Sequence, residues 1–379
     1  MTDGRARRKA KQARRDARRR RARERPPDES PLVNLVRPML ARKHPLDLLE
    51  FVSMVIAETT PSPMIRLKRP EFEVRSLDEI ISDQREVPGR EVTAFLAIVA
   101  ELVVDAELSA QCRRMVEARD DLLPAWISGL SRIHVYRTVR LSHVLGDVSQ
   151  VLIGARLGGA EMTCVVDTYH NSDSCVTGAT FVEETIEQVL EQSLDRDIRV
   201  FEMALADARA WVQQAVSGTH AARGDGPWPA CRPLVQWLIG HMPEGGTGYR
   251  PSAWESAARD ALLDEFFAST HGAYFADSEY RDILEELIET GAGDPLRWSA
   301  RRVRWALEYP PSVGCCVSVE CLLVVPDMLR AFIPFAHAKS GIREGLTTEA
   351  LAVIDRMRLA YEQDVLREAG YYDADDEGA

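Results

Sequence analysis

In the stretch DTYHNSD, Asp167, His170 and Asp173 recur at every third residue. Two carboxylates and an imidazole are groups that can hold a metal ion or pass protons to a bound water. A turn here would gather two of them. Asp167 and His170 would then be the acid–base or ligand pair of a metal-dependent or hydrolase-like enzyme. The competing account is structural. Asn, Ser and Asp satisfy their own backbone in tight turns, so Asn171 and Asp173 need no chemistry to explain them. The sequence favours the turn, because metal sites seldom rest on one unsupported loop.

Other chemistry-bearing groups are weaker. Cys315, Cys316 and Cys321 follow a CC-x₄-C pattern without the paired C-x₂-C halves of a zinc site, and the next histidine is His337. Cysteines among Val and Leu read as small buried hydrophobes. PEGGTGYRP (243–251) has the glycines of a phosphate cradle but not the Lys-Ser/Thr that a P-loop requires, so it reads as an inter-helix loop or lid. No nucleophile elbow, zinc-protease helix or dinucleotide fingerprint occurs. No catalytic signature is present, and no cofactor or metal is expected.

The strongest feature is charge. Residues 5–25, RARRKAKQARRDARRRRARER, contain thirteen Arg or Lys among twenty-one positions. Residues 1–30 carry a net +8, which leaves −20 on the remainder of a chain whose total is −12. Such a segment repels itself and is expected to be disordered when unbound. Arg14, Arg15, Arg18, Arg19, Arg20 and Arg21 are the candidate contacts to nucleic acid or another polyanion, through phosphate neutralisation and counterion release. No aromatic residue is interleaved, so base stacking is not expected and sequence preference should be slight. The acidic surface of the body itself is a second destination, and a plain solvated tail, or an upstream start wrongly assigned, is the bland alternative.

The elements that must position these groups follow from periodicity. HPLDLLEFVSMVIAET repeats apolar residues at helical spacing, with Asp47 and Glu50 arranged as a capping box. SLDEIISDQ offers a second such start, and REVTAFLAIVAEL a broad buried face. From about 133 to 182 the pattern turns to short β-branched runs separated by Gly158-Gly159 and by HNSD, which predicts an antiparallel meander of three or four strands. Glu183 onward reads as helix. GTHAARGDGPWP (218–229) reads as the internal boundary, and everything after it as helical, with a box at Ser252 and Glu255. The longest apolar run, 313–325, is too short and too interrupted to span a membrane, and no signal peptide fits the N-terminus. Seven cysteines in a chain of this length suit a reduced, cytoplasmic setting.

SHVLGDVSQVLIGARLGGAEMTCVVDTYHN, WPACRPLVQWLIGHMPEGG and GDPLRWS resemble an uncharacterised family of bacterial, mainly actinobacterial, proteins. The resemblance implies a bacterial cytosolic protein and carries no activity, cofactor or catalytic residue with it.

The expected fold is therefore α+β and mainly helical. A disordered basic arm (1–30) precedes an α+β domain (31–217) with its meander near 133–182. A linker (218–229), an all-α domain (230–370) and an acidic tail (371–379) follow. The expected function is that of a binding or regulatory protein using its arm. The alternatives are an enzyme at Asp167 and His170, or a protein-interaction scaffold whose arm is incidental.

Overall fold

The computed structural model describes residues 30–42, 44–59, 75–170, 174–218, 228–309 and 318–370. The basic arm, the acidic tail, most of the expected linker and Cys315 and Cys316 lie outside the described residues. The chain is α+β and mainly helical, with an antiparallel sheet. Its contacts divide it into two units, 1–132 and 133–379. The division falls just before the first strand, so the sheet groups with the helices that follow it.

The first unit is helical: α1 (Pro31–Ala41), α2 (Leu46–Thr59), α3 (Leu77–Asp83), α4 (Arg90–Leu102) and α5 (Ala106–Glu117). Its core is the apolar face of α4, where Val92, Phe95, Leu96, Ile98 and Val99 are fully buried, together with Leu48, Leu49 and Val52 of α2. The Ser76–Glu79 capping box forms as the sequence suggests, each side chain bonding the other's backbone N–H. The Asp47–Glu50 box does not form. The helix α2 has already begun at Leu46, so Asp47 lies in its first turn and pairs with Arg42 instead. A first-turn carboxylate still suits the positive end of the helix.

The second unit is built on five strands: β1 (His134–His143), β2 (Val148–Leu157), β3 (Ala160–His170), β4 (Ser174–Val182) and β5 (Ile198–Met203), ordered β4-β3-β2-β1-β5. The meander is the one predicted, with a fourth hairpin partner β4 and a fifth strand that was not foreseen. After α6 (Ile186–Ser193) the chain returns as β5 and pairs antiparallel with β1. Among the described residues the outer edge of β5 has no sheet neighbour, and Arg199 to Glu202 are exposed.

One sheet face is covered by α7 (Leu205–Ser217) and α8 (Trp228–Gly240), which pack on β1 and β4. The opposite face receives α6 over Val139, Leu141 and Leu152. The remaining helices are α9 (Ser256–Ala268), α10 (Ser278–Glu289), α11 (Ala300–Glu308), α12 (Val319–Leu323), α13 (Val325–Ser340) and α14 (Glu344–Glu368). They enclose a core that includes Phe266, Leu284, Trp298, Phe332, Ile354 and Tyr361. The Ser252–Glu255 box is absent: α9 starts at Ser256, with Glu255 as a cap residue that makes no side-chain bond. The half-buried Cys321 sits in α12 and is a free thiol. Among the described residues no helix is long and apolar enough to cross a membrane.

These helices are tied to the sheet by polar contacts. The Ser299 hydroxyl caps α11 by accepting from Arg302 N (2.9 Å) and donates to Asp147 in the β1–β2 turn. Arg343 pairs with Asp197 just before β5. Arg302 is buried and donates to the carbonyls of Asp294, Arg297 and Ile288, so its charge is spread over helix and loop ends.

Candidate functional site

Strand β3 carries both Asp167 and His170, three positions apart. Side chains alternate across a strand, so an odd separation puts them on opposite faces of the sheet. The contacts agree. Asp167 stands opposite Gln150 of β2 and accepts a 2.8 Å hydrogen bond from its amide. His170 shares its face with Thr168 and lies under α7. The structure therefore does not bring the two residues together, and neither sits on an exposed tip. The expectation of exposure fails because β3 runs to His170 itself and His170 is only 1% accessible. Asn171 and Asp173 lie outside the described residues.

The imidazole of His170 is enclosed by hydroxyls and rings. Nε2 is 3.1 Å from Ser149 Oγ and 3.4 Å from Thr168 Oγ1, and Nδ1 is 3.1 Å from Ser174 Oγ. The Thr168 hydroxyl donates to the Ser149 carbonyl, so towards His170 it can only accept. That places the proton on Nε2 and leaves Nδ1 to accept from Ser174. The Ser149 hydroxyl in turn donates to Ser142 Oγ at 3.4 Å. Burial, with Arg140 nearby as a second cause, lowers the His170 pKa to about 3. The ring is a neutral structural group at any ordinary pH, unlike a general base poised near neutrality.

Two aromatic side chains complete the enclosure. Tyr249 stacks flat on His170 (4.1 Å between centroids, 7° between planes), and Trp211 of α7 meets both rings edge-on. Tyr249 comes from the glycine-rich loop after α8. A Cβ on Gly246 would lie 2.0 Å from the Ala206 carbonyl oxygen, and one on Gly248 would lie 2.2 Å from Gln214 Oε1. These glycines allow the loop to lie against α7. Thr247 N donates to Asp207 (2.7 Å), and Arg209 holds both Met242 O and Glu244. The loop is thus packed on a helix, and its glycines serve close approach rather than a phosphate cradle.

The opposite face is more open. A cavity of about 380 Å³ is lined by Leu141, His143, Gln150, Ile198, Arg301 and Leu346, among others. Gln150 links it to Asp167, whose carboxyl is pushed above its usual range by burial, an effect partly offset by the Gln150 bond. Gly178 opposite leaves room for this carboxyl: a Cβ there would be 3.0 Å from Asp167 Oδ2. On the same face the Arg301 guanidinium lies 3.8 Å over the ring of Tyr169. This mixture suits a small, largely apolar molecule with a few hydrogen bonds. Asp147 and Glu349 line the cavity as well as His143, and Asp147 accepts from the Ser299 hydroxyl. Among the described residues no three His, Cys, Asp or Glu side chains converge as a metal site would require.

Reading the sequence missed Arg140, Trp211 and Tyr249. They come from β1, α7 and a loop, and no local spacing connects them. No family model matches this chain, and neither a curated protein nor a solved structure shows detectable similarity to it.

Proposed function

We propose that the chain is a binding or regulatory protein whose basic N-terminal segment contacts nucleic acid or another polyanion. The observation that carries this reading is the segregation of charge, +8 on residues 1–30 against −20 on the rest. The placement of Asp167 and His170 on opposite sheet faces removes the main support for an enzyme working at that pair. Arg14, Arg15, Arg18, Arg19, Arg20 and Arg21 are the contacts proposed for the phosphates, and the acidic remainder limits affinity by repelling the same ligand.

The test uses the full-length chain with those six arginines replaced by Gln. Wild type should bind a labelled duplex with affinity that falls steeply as salt rises, and the variant should lose most of that affinity and most of the salt slope. Equal binding by the two proteins would assign the contact elsewhere and end this reading.

A further inference from the structure

Arg140 of β1 is a half-buried cation with no ion pair or hydrogen bond to any described residue. Its guanidinium carbon lies 4.5 Å from the centre of the Phe201 ring and 4.6 Å from that of Trp211. Stacking on rings occupies the faces of a guanidinium and leaves its edge, where the N–H donors are, unused. Burying such a group without an acceptor is unfavourable.

A second, independent observation lies in the same cluster. Trp211 is 8% accessible, and its Nε1–H is buried with no acceptor among the described residues. Buried indole N–H groups normally find a partner. The hydroxyl of Tyr249, whose ring meets Trp211 edge-on, makes no hydrogen bond to a described residue. Ser142 lies two residues from Arg140 on the same face and ends the chain of hydroxyls that begins at His170. Its own proton has no acceptor among the described residues. These donors belong to neighbouring side chains at the β1–α7 margin, and Asp147, the carboxylate felt there by Tyr249, is itself held by the Ser299 hydroxyl.

We propose that Arg140, Ser142, Trp211 and Tyr249 form a binding site for a small oxyanion, a carboxylate or phosphate group carried by a small molecule. The flat edge of the guanidinium matches two oxygens of such a group, and the indole and hydroxyl protons supply further donors. A cation would be repelled by Arg140, and a neutral ligand would leave the charge unpaired. The proposal uses none of the arginines of the N-terminal segment and stands or falls without them.

The experiment titrates the full chain with inorganic phosphate and, in parallel, with acetate while recording the indole ¹H–¹⁵N signals. The Trp211 signal is identified by its loss in Trp211→Phe. The expected result is a saturable shift of that signal with at least one anion, and the identity of that anion distinguishes phosphate from carboxylate. Arg140→Gln should weaken binding by about tenfold or more, the scale of a charge-assisted hydrogen bond. Arg140→Lys, which keeps charge but loses the fork, should fall between. Should Arg140→Gln fail to fold, Ser142→Ala tests the same site and should also weaken binding. The proposal is overturned if neither anion moves the Trp211 signal. It is equally overturned if the shift persists unchanged in Arg140→Gln, or if the six-arginine variant abolishes it.

Discussion

The two faces of one sheet treat neighbouring residues of β3 in opposite ways. Under α7 and the glycine loop, His170 is enclosed by three hydroxyls and two rings. On the other face Asp167 keeps one strong partner, Gln150, beside a cavity. Burial is the largest cause at both positions, yet it lowers the pKa of one and raises that of the other. The sign differs because burial disfavours whichever form is charged, the protonated imidazole in one case and the carboxylate in the other. The comparison teaches that spacing along a strand says little about chemistry until the period of two is applied.

Lifting the cover from the His170 face should have the largest effect. Gly246→Val places side-chain atoms against the Ala206 backbone, which cannot yield as a flexible side chain would. The loss should be about 3 kcal/mol in denaturant unfolding. In the folded variant the His170 titration, followed by NMR, should move back toward the usual histidine range as Tyr249 withdraws. Unchanged stability and titration would show that the loop does not seal this face.

Acid sharpens the same contrast. The native pKa of His170 is lowered to about 3 and that of His337, buried and accepting from Trp298 N, to about 4. The unfolded chain therefore binds more protons between these values and the ordinary histidine pKa. Stability is full above that ordinary value and is lost as pH falls through the window. Each histidine should cost about 2 kcal/mol between about pH 7 and about pH 5. His170→Gln should flatten the pH dependence measured by denaturant unfolding, and an unaltered slope would contradict the sealed-imidazole account.

Asp167 should give the smallest effect and the opposite sign. Its raised pKa means the native state binds the extra proton, so its contribution weakens stability as pH rises through the native value. Asp167→Asn keeps an oxygen for the Gln150 amide and removes the half-buried charge. Its thermal stability at neutral pH should equal or exceed that of wild type, by less than about 1 kcal/mol. A marked loss would mean that the carboxylate has a partner on the cavity side.

Much of this organisation was legible in the sequence. The runs around Val139, Leu152 and Val166 announced strands because half-buried strands must alternate, and Gly158-Gly159 marked a hairpin. IRVFEM did not announce itself, since four of its six residues face solvent and its pattern mixes charge with apolar side chains. It is a strand because β1 offers an unpaired edge, which is tertiary information. Three hydroxyl residues from different strands, Ser149, Thr168 and Ser174, close around His170, and each reads alone as ordinary polar surface. Arg140 and Tyr249 are far apart in sequence, and only the packing of the glycine loop on α7 draws them into one cluster.

Strand β5 also bears on how molecules of this chain tolerate one another at high concentration. Its outer row of main-chain donors and acceptors has no sheet neighbour among the described residues, and Val200 and Phe201 stand 43% and 40% accessible along it. An open edge with exposed apolar residues is a template for further strands. What opposes templating here is Arg199 on one side of that pair and, on the other, Glu202 with its partner Arg137, charged groups that another strand would have to desolvate to dock. Colloidal behaviour at this edge therefore depends on these charged side chains, while the hydrophobic core that keeps the chain folded has little say in it.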